Sequence, residues 1–142
     1  MTDPTVDPAA LGWRPMRTNA MPSSIGLPWA KRADNNWHYA LLTINEHANP
    51  QGAVHGGILM TFADHTLGIY AWEAAQRAPC VTIQMNTHFL AAVTPGDFVE
   101  LRGEVTRATR GLVFVRGILA VGDKDVAAID GIWRVLRARP TG

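Results

Sequence analysis

Between Asn49 and His65 the chain reads NPQGAVHGGILMTFADH, and a handful of its residues could do chemistry. Asp64 is the one acid in a run that is otherwise apolar. A carboxylate set among Phe62, Ala63 and Leu67 is costly to bury unless hydrogen bonds satisfy it. It is either a structural group at a helix edge or a working group, a general base on water or a direct nucleophile on a carbonyl. Gly56 and Gly57 stand where the apolar run begins. A tight turn there would ask for small residues whatever the function. The same smallness leaves a backbone N–H at a helix N-terminus free to face a developing oxyanion. Asn49, before Pro50, is a common turn residue, and His55 could close the loop with a hydrogen bond.

Other chemistries fail on inventory. Ser23 and Ser24 are the only serines and no G-x-S-x-G is present, which speaks against a serine hydrolase. Cys80 is the only cysteine, so an intrachain disulfide and a thiolate metal cluster are both excluded, and it reads as a small buried hydrophobe. The five histidines form no H-E-x-x-H pattern, so no metal is expected. No phosphate-cradling loop of Walker or Rossmann type exists.

Patterning supplies the elements that must position these groups. Residues 1–24 read as an irregular arm broken by Pro and Gly, with Trp13 as a possible anchor. A strand pair is expected near 27–33 and 37–44 around the turn-like DNN. One long helix follows, from about His55 to Gln76. After it the period changes: CVTIQMNTHFL places Val81, Ile83, Met85 and Phe89 on one face and Thr82, Gln84, Asn86 and His88 on the other. Three more strands with short turns complete what reads as a four-stranded antiparallel meander. The fold class is α+β, with a single domain over 25–142. A helix apolar nearly all round cannot face water. A curved sheet can cover one side, and the other needs a second copy of the chain.

These motifs, N-P-x-G-x-x-H-G-G, then A-D-H, then V-T-I-x-M-N-x-x-F-L, P-G-D and V-x-R-x-x-R-G, resemble the hotdog-fold thioesterases, in particular their PaaI-like (phenylacetyl-CoA thioesterase) branch, over about residues 36–137. The resemblance implies a long central helix wrapped by a curved antiparallel sheet, pairing as homodimers and often as dimers of dimers. It also implies hydrolysis of acyl-CoA thioesters without metal or cofactor, coenzyme A being part of the substrate. Carried onto this chain, it makes Asp64 the base or nucleophile and Gly57 the oxyanion donor. Asn49 then holds the thioester carbonyl or the attacking water, while His55 supports the loop or the substrate. Gly56 and Thr82 fall among the substrate-contacting positions. Arg107 and Arg110, in VTRATRG, are candidates for the coenzyme phosphates because a turn can present both to solvent; two solvated turn arginines would look the same. A non-catalytic acyl-CoA-binding or regulatory protein is the alternative, and it could dispense with Asp64. A hotdog hydratase fits less well, because it needs a His several residues beyond the Asp, whereas His65 is adjacent to Asp64 and points about 100° away.

The 142 residues are 47% hydrophobic and 18% charged, which suits one globular domain. A net charge of +1 gives no general reason to expect nucleic acid or an anionic membrane as partner. No run reaches the roughly 18 apolar residues of a membrane helix, and no signal-type segment opens the chain, so a cytoplasmic protein is expected. Finally, Gly57 and Asp64 are seven residues apart, about 20° short of two full helical turns and about 10 Å along the axis. One helix cannot bring both to one carbonyl, and an antiparallel second copy can.

Overall fold

A computed structural model describes residues 6–17 and 20–137. Its centre is a helix, α1, over Gly56–Ala74. Leu59, Phe62, Ala63, Thr66, Leu67, Tyr70 and Ala71 form its buried side, recurring at the three- and four-residue spacing of one helical face. Thr66 is tolerated there because its hydroxyl donates to the Phe62 carbonyl at 2.7 Å. The helix stops without a glycine: Gln76 and Arg77 both take left-handed φ values (56° and 66°), and Pro79 follows.

Seven antiparallel strands wrap this helix: β1 (Arg14–Pro15), β2 (Trp29–Ala33), β3 (Asn36–Leu42), β4 (Cys80–Phe89), β5 (Phe98–Ala108), β6 (Leu112–Val121) and β7 (Lys124–Val135). The β2–β3 hairpin expected from DNN is present, with Asp34 and Asn35 at φ 53° and 60°, the positive values that a two-residue hairpin turn requires. The spatial order β1-β2-β3-β5-β6-β7-β4 corrects one expectation. Only β5, β6 and β7 form a meander; β4 pairs with β7 at the far edge, and β5 pairs with β3. The link between β4 and β5 must therefore cross the sheet. It does so at the N-terminal end of α1, held by Leu90 N–H to Val126 O (2.8 Å) and Val54 N–H to Val93 O (2.7 Å).

A second correction concerns β4. Its register with β7 slips between Thr82 and Gln84, so Ile83 is an extra residue in the strand. The bulge reverses the alternation. Thr82 lies opposite the buried Trp133 and Met85 opposite Gly131, on the helix side, while Val81 and Ile83 remain 44% and 53% exposed. Strict alternation could not foresee the extra residue.

The helix lies close to the sheet because of a cross-strand glycine pair, Gly103 opposite Gly117. A Cβ on Gly103 would come within 2.8 Å of the Tyr70 ring, and one on Gly117 within 2.8 Å of Leu101. On the other face of the sheet, Trp13 packs edge-on against Phe98 with ring centroids 5.2 Å apart.

Candidate active site

The N-terminus of α1 is delivered by the loop from Ile44 to His55. Asn49 organises it: its side-chain Oδ1 accepts N–H bonds from Gln51 (3.0 Å) and Ala53 (3.1 Å), and its own N–H donates to Ala53 O at 2.7 Å. The oxygen of Asn49 is thus committed to the loop. His47, which no motif singles out, is the second organiser. It is 1% exposed; Nδ1 accepts from Ile44 N–H at 3.1 Å and Nε2–H donates to Ser24 O at 3.0 Å. Its carbonyl accepts from His55 N–H at 2.9 Å, which ties this buried ring to the residue before the helix. His47 acquires a role only when residues 24, 44 and 55 meet in space, so no local pattern marks it. His55 itself is the exposed N-cap residue, and its imidazole makes no hydrogen bond among the described residues.

Past that point the first amides of the helix are open. Gly56 and Gly57 N–H have no acceptor among the described residues, and such groups point out of the helix N-terminus with the positive end of the dipole. The two glycines differ. A Cβ on Gly57 would meet nothing within 4 Å, whereas one on Gly56 would lie 2.9 Å from the Phe89 ring.

Asp64 sits two turns along. It is half-buried, on the border between the covered side of α1 and a stripe that is exposed at Gly57 and half-covered at Thr61, His65, Gly68 and Trp72. Phe62, Ala63 and Leu67 all turn inward while Asp64 does not, because each residue advances about 100° around the axis. The Thr82 hydroxyl donates to Asp64 Oδ1 at 2.5 Å, so the structure brings these two together across α1 and β4. The bulge at Ile83 belongs to that contact, since it keeps both Thr82 and the later residues of β4 turned to the helix. The neighbouring His65 has its pKa lowered by burial, an effect that the Asp64 charge opposes.

Not every candidate gathers here. Arg107 lies near the end of β5 and Arg110 in the β5–β6 turn, both exposed and without an ion pair among the described residues. Arg137 joins them, its guanidinium donating to Arg110 O at 3.1 and 2.9 Å. This arginine end is tied to Pro79 through Leu136 N–H (2.8 Å), at the C-terminal end of α1. Along the axis Ala74 is about 15 Å from Asp64 and about 26 Å from Gly57. Phe62 is wholly buried in the core, while Trp72 is half-buried with Arg77 stacked over it at 5.3 Å. The larger cavities, of about 670 and 630 Å³, lie between the end of α1 and the β2–β3 hairpin and on the outer face of the sheet; neither is lined by Asp64. Among the described residues no helix is long and apolar enough to cross a membrane.

Residues 51–128 match the family described as the thioesterase superfamily. A Pseudomonas aeruginosa protein whose provisional name is esterase is 30% identical over 97 residues, covering 68% of this chain and 72% of that protein. Among solved structures, a phenylacetic acid degradation-related protein of Ralstonia eutropha superposes with a TM-score of 0.74 at 22% identity, over 84% of this chain and 92% of its own. A Bacillus halodurans protein solved with CoA does so with a TM-score of 0.71 at 24% identity, over 78% and 74%. The fold is therefore the hotdog arrangement of helix and sheet.

Proposed function

Because the chain belongs to the thioesterase superfamily, we propose that it is an acyl-CoA thioesterase, hydrolysing an acyl- or aryl-CoA to the free acid and CoA. The observation that carries this reading is one helix bearing both halves of the chemistry: open amides at Gly56 and Gly57, and a carboxylate at Asp64 held by Thr82. In the reaction, Asp64 takes a proton from water as the water oxygen bonds to the thioester carbon. The carbonyl oxygen becomes an oxyanion facing the Gly57 N–H. The C–S bond then breaks, and the proton held by Asp64 passes to the leaving CoA sulfur.

The site is built from two subunits in this reading. The support is geometric: Gly57 and Asp64 are about 10 Å apart along the axis, while a reacting carbonyl needs both groups within about 3–3.5 Å. The half-covered stripe of α1 beside Asp64 and the unpaired outer edge of β4, whose Thr82 reaches Asp64, suit an antiparallel copy laid across both. That copy would set its own Gly57 against Asp64 and bring the substrate's coenzyme toward the nearer arginine end.

The test is release of free thiol from a panel of acyl-CoAs by the native protein and by Asp64→Asn. Turnover by the native protein and a loss of roughly 10²–10⁴ in kcat in the folded variant are expected. A folded variant with native turnover would remove Asp64 from the chemistry. Acyl-CoA binding without turnover by the native protein would make it a carrier.

A further inference from the structure

A cavity of about 670 Å³ opens between the second half of α1 and the β2–β3 hairpin, with apolar walls at Trp37, Ile69, Tyr70 and Val105. Tyr39 lines it too, edge-on to Tyr70 with ring centroids 5.6 Å apart. The fold does not explain the hydroxyl of Tyr39. The residue is 6% exposed, and its hydroxyl has no hydrogen-bond partner among the described residues, whereas buried polar groups ordinarily have one. Among the described residues the side-chain atoms sealed from solvent without a partner are His38 Nε2 and Thr87 Oγ1. The Tyr39 hydroxyl is not sealed; it opens on the cavity. Phenylalanine would pack as well against Tyr70, so packing does not call for the hydroxyl. Burial first, and then Tyr70 and Glu73, push this phenol above its ordinary range, so it keeps its proton and stands as a donor.

The other polar groups of the cavity are committed, with one exception. Glu73 pairs with Arg77 at 3.8 Å and Glu104 with Arg116. Tyr70 donates its hydroxyl proton to Trp37 O, and Asn36 donates to Gly103 O and accepts from Trp37 N–H. The exception is Arg32, exposed and without an ion pair among the described residues, its guanidinium 6.0 Å from the Trp37 ring centroid. Ala30 lies opposite Tyr39 and Arg32 opposite Trp37, so Arg32 and Tyr39 share one face of the hairpin, about 7 Å apart along it. Two uncommitted donors therefore stand among aromatic and aliphatic walls. Tyr70 is six residues past Asp64, about 9 Å along the axis and about 120° round it, so this is not the face that carries the acid.

We propose that this cavity is a second ligand site, and that it takes a monocarboxylic acid with an apolar, preferably aromatic, body. The carboxylate accepts from Tyr39 O–H and from the Arg32 guanidinium, and the body leaves water against Trp37, Ile69 and Val105. A cation finds both acids already paired, and a small anion leaves the walls unused. The ligand class is that of the acid released in the proposed reaction, and only that link rests on the thioesterase reading.

The test is calorimetric titration of the protein in its native assembly with 3-phenylpropionate, its amide, acetate and inorganic phosphate. Saturable binding of one 3-phenylpropionate per chain is expected, at least about fivefold tighter than the amide and unchanged by saturating CoA. Tyr39→Phe should weaken it by about tenfold or more, and Arg32→Gln, at an exposed position, by about two- to fivefold. Tyr39→Phe should also melt no lower than the native protein, because its hydroxyl has no partner in the chain to lose. No saturable binding, equal binding of acid and amide, or affinity indifferent to Tyr39→Phe overturns the proposal. Displacement by CoA assigns the cavity to the coenzyme, and a fall in melting temperature in Tyr39→Phe assigns the hydroxyl to the fold; each overturns it as well. Binding is read without turnover, so a protein that hydrolyses no acyl-CoA loses the thioesterase reading and keeps this site, and the converse result removes the site alone.

Discussion

Two adjacent glycines, replaced one at a time by alanine, should fail in opposite ways. At Gly57 an added Cβ meets nothing within 4 Å, and φ is not in the left-handed region, so Gly57→Ala fits the folded chain. Alanine is favoured over glycine in a helix by up to about 1 kcal/mol, partly because the unfolded chain loses freedom. At Gly56 the same atom would lie 2.9 Å from Phe89 Cζ and 3.3 Å from both Cε atoms, inside the 3.5–4.0 Å optimum for carbon contacts. The ring must swing out, and overpacking of this kind costs about 1–3 kcal/mol, more than the propensity gain. The two variants should therefore differ by about 1–3 kcal/mol, with Gly57→Ala the more stable. At roughly 3 °C per kcal/mol for a chain of this size, their melting temperatures should separate by about 3–9 °C. Activity should run the other way. The methyl group of Gly57→Ala occupies the open space through which a thioester reaches the amide, and loss of one oxyanion donor costs about 10²–10³ in kcat. Gly56→Ala leaves the Gly57 amide in place and should retain more. Thermal melts and thiol-release kinetics on the two proteins decide it. Native kcat in Gly57→Ala would show that this amide does not hold the oxyanion, and a lower melting temperature for Gly57→Ala than for Gly56→Ala would refute the packing argument.

Mixing Asp64→Asn subunits with Gly57→Ala subunits should restore activity to about a quarter of native, since half of randomly mixed dimers carry one intact site of two; mixed dimers no more active than their parents would place both groups in one chain. Thr82→Val removes the hydroxyl that steadies Asp64 and should lower kcat by about tenfold with little change in melting temperature; unchanged kcat would make that hydrogen bond incidental. Replacing both Arg107 and Arg110 with Ala should raise KM for acyl-CoA far more than for a truncated pantetheine thioester, and equal effects on both would free these arginines from the coenzyme. Burial lowers the pKa of His65, so the unfolded chain takes up a proton first as the solution is acidified. Stability should fall as pH drops through about 6.5, the unperturbed value, and His65→Gln should lessen that slope in denaturant titrations between pH 5 and 8; an identical slope would assign the effect elsewhere.

Much of this arrangement is legible in the residues themselves. An apolar stretch too long for a strand can only be a helix, DNN between β-formers can only be a hairpin, and an acid in the apolar stretch draws the eye to Asp64. What escapes is of one physical kind, the consequence of chain segments meeting. The pairing of β4 with β7 is decided by three-dimensional packing, and nothing local distinguishes it from pairing with β5. The bulge at Ile83 shows in the sequence as ordinary alternation, because an extra residue is visible only against a partner strand. His47 is one more polar loop residue until its ring finds Ile44 and Ser24.

The same meeting of segments explains why the acid can be there at all. A carboxylate at the centre of the buried side of α1, in place of Phe62 or Leu67, would stand in the apolar core with no partner, at a cost that the chain could not absorb. One at an exposed position such as Gly57 would keep its water and do no positioned chemistry. Asp64 avoids both because Ala63 and Leu67 flank it on the covered side while Thr82 reaches it from β4. Thr82 reaches it only because the chain carries an extra residue at Ile83. Without that bulge, keeping Thr82 inward would turn Met85, Thr87 and Phe89 away from the helix, and keeping those three inward would turn Thr82 out. The hydrogen bond to the acid and the Phe89 wall over Gly56 are therefore two results of one irregularity in one strand.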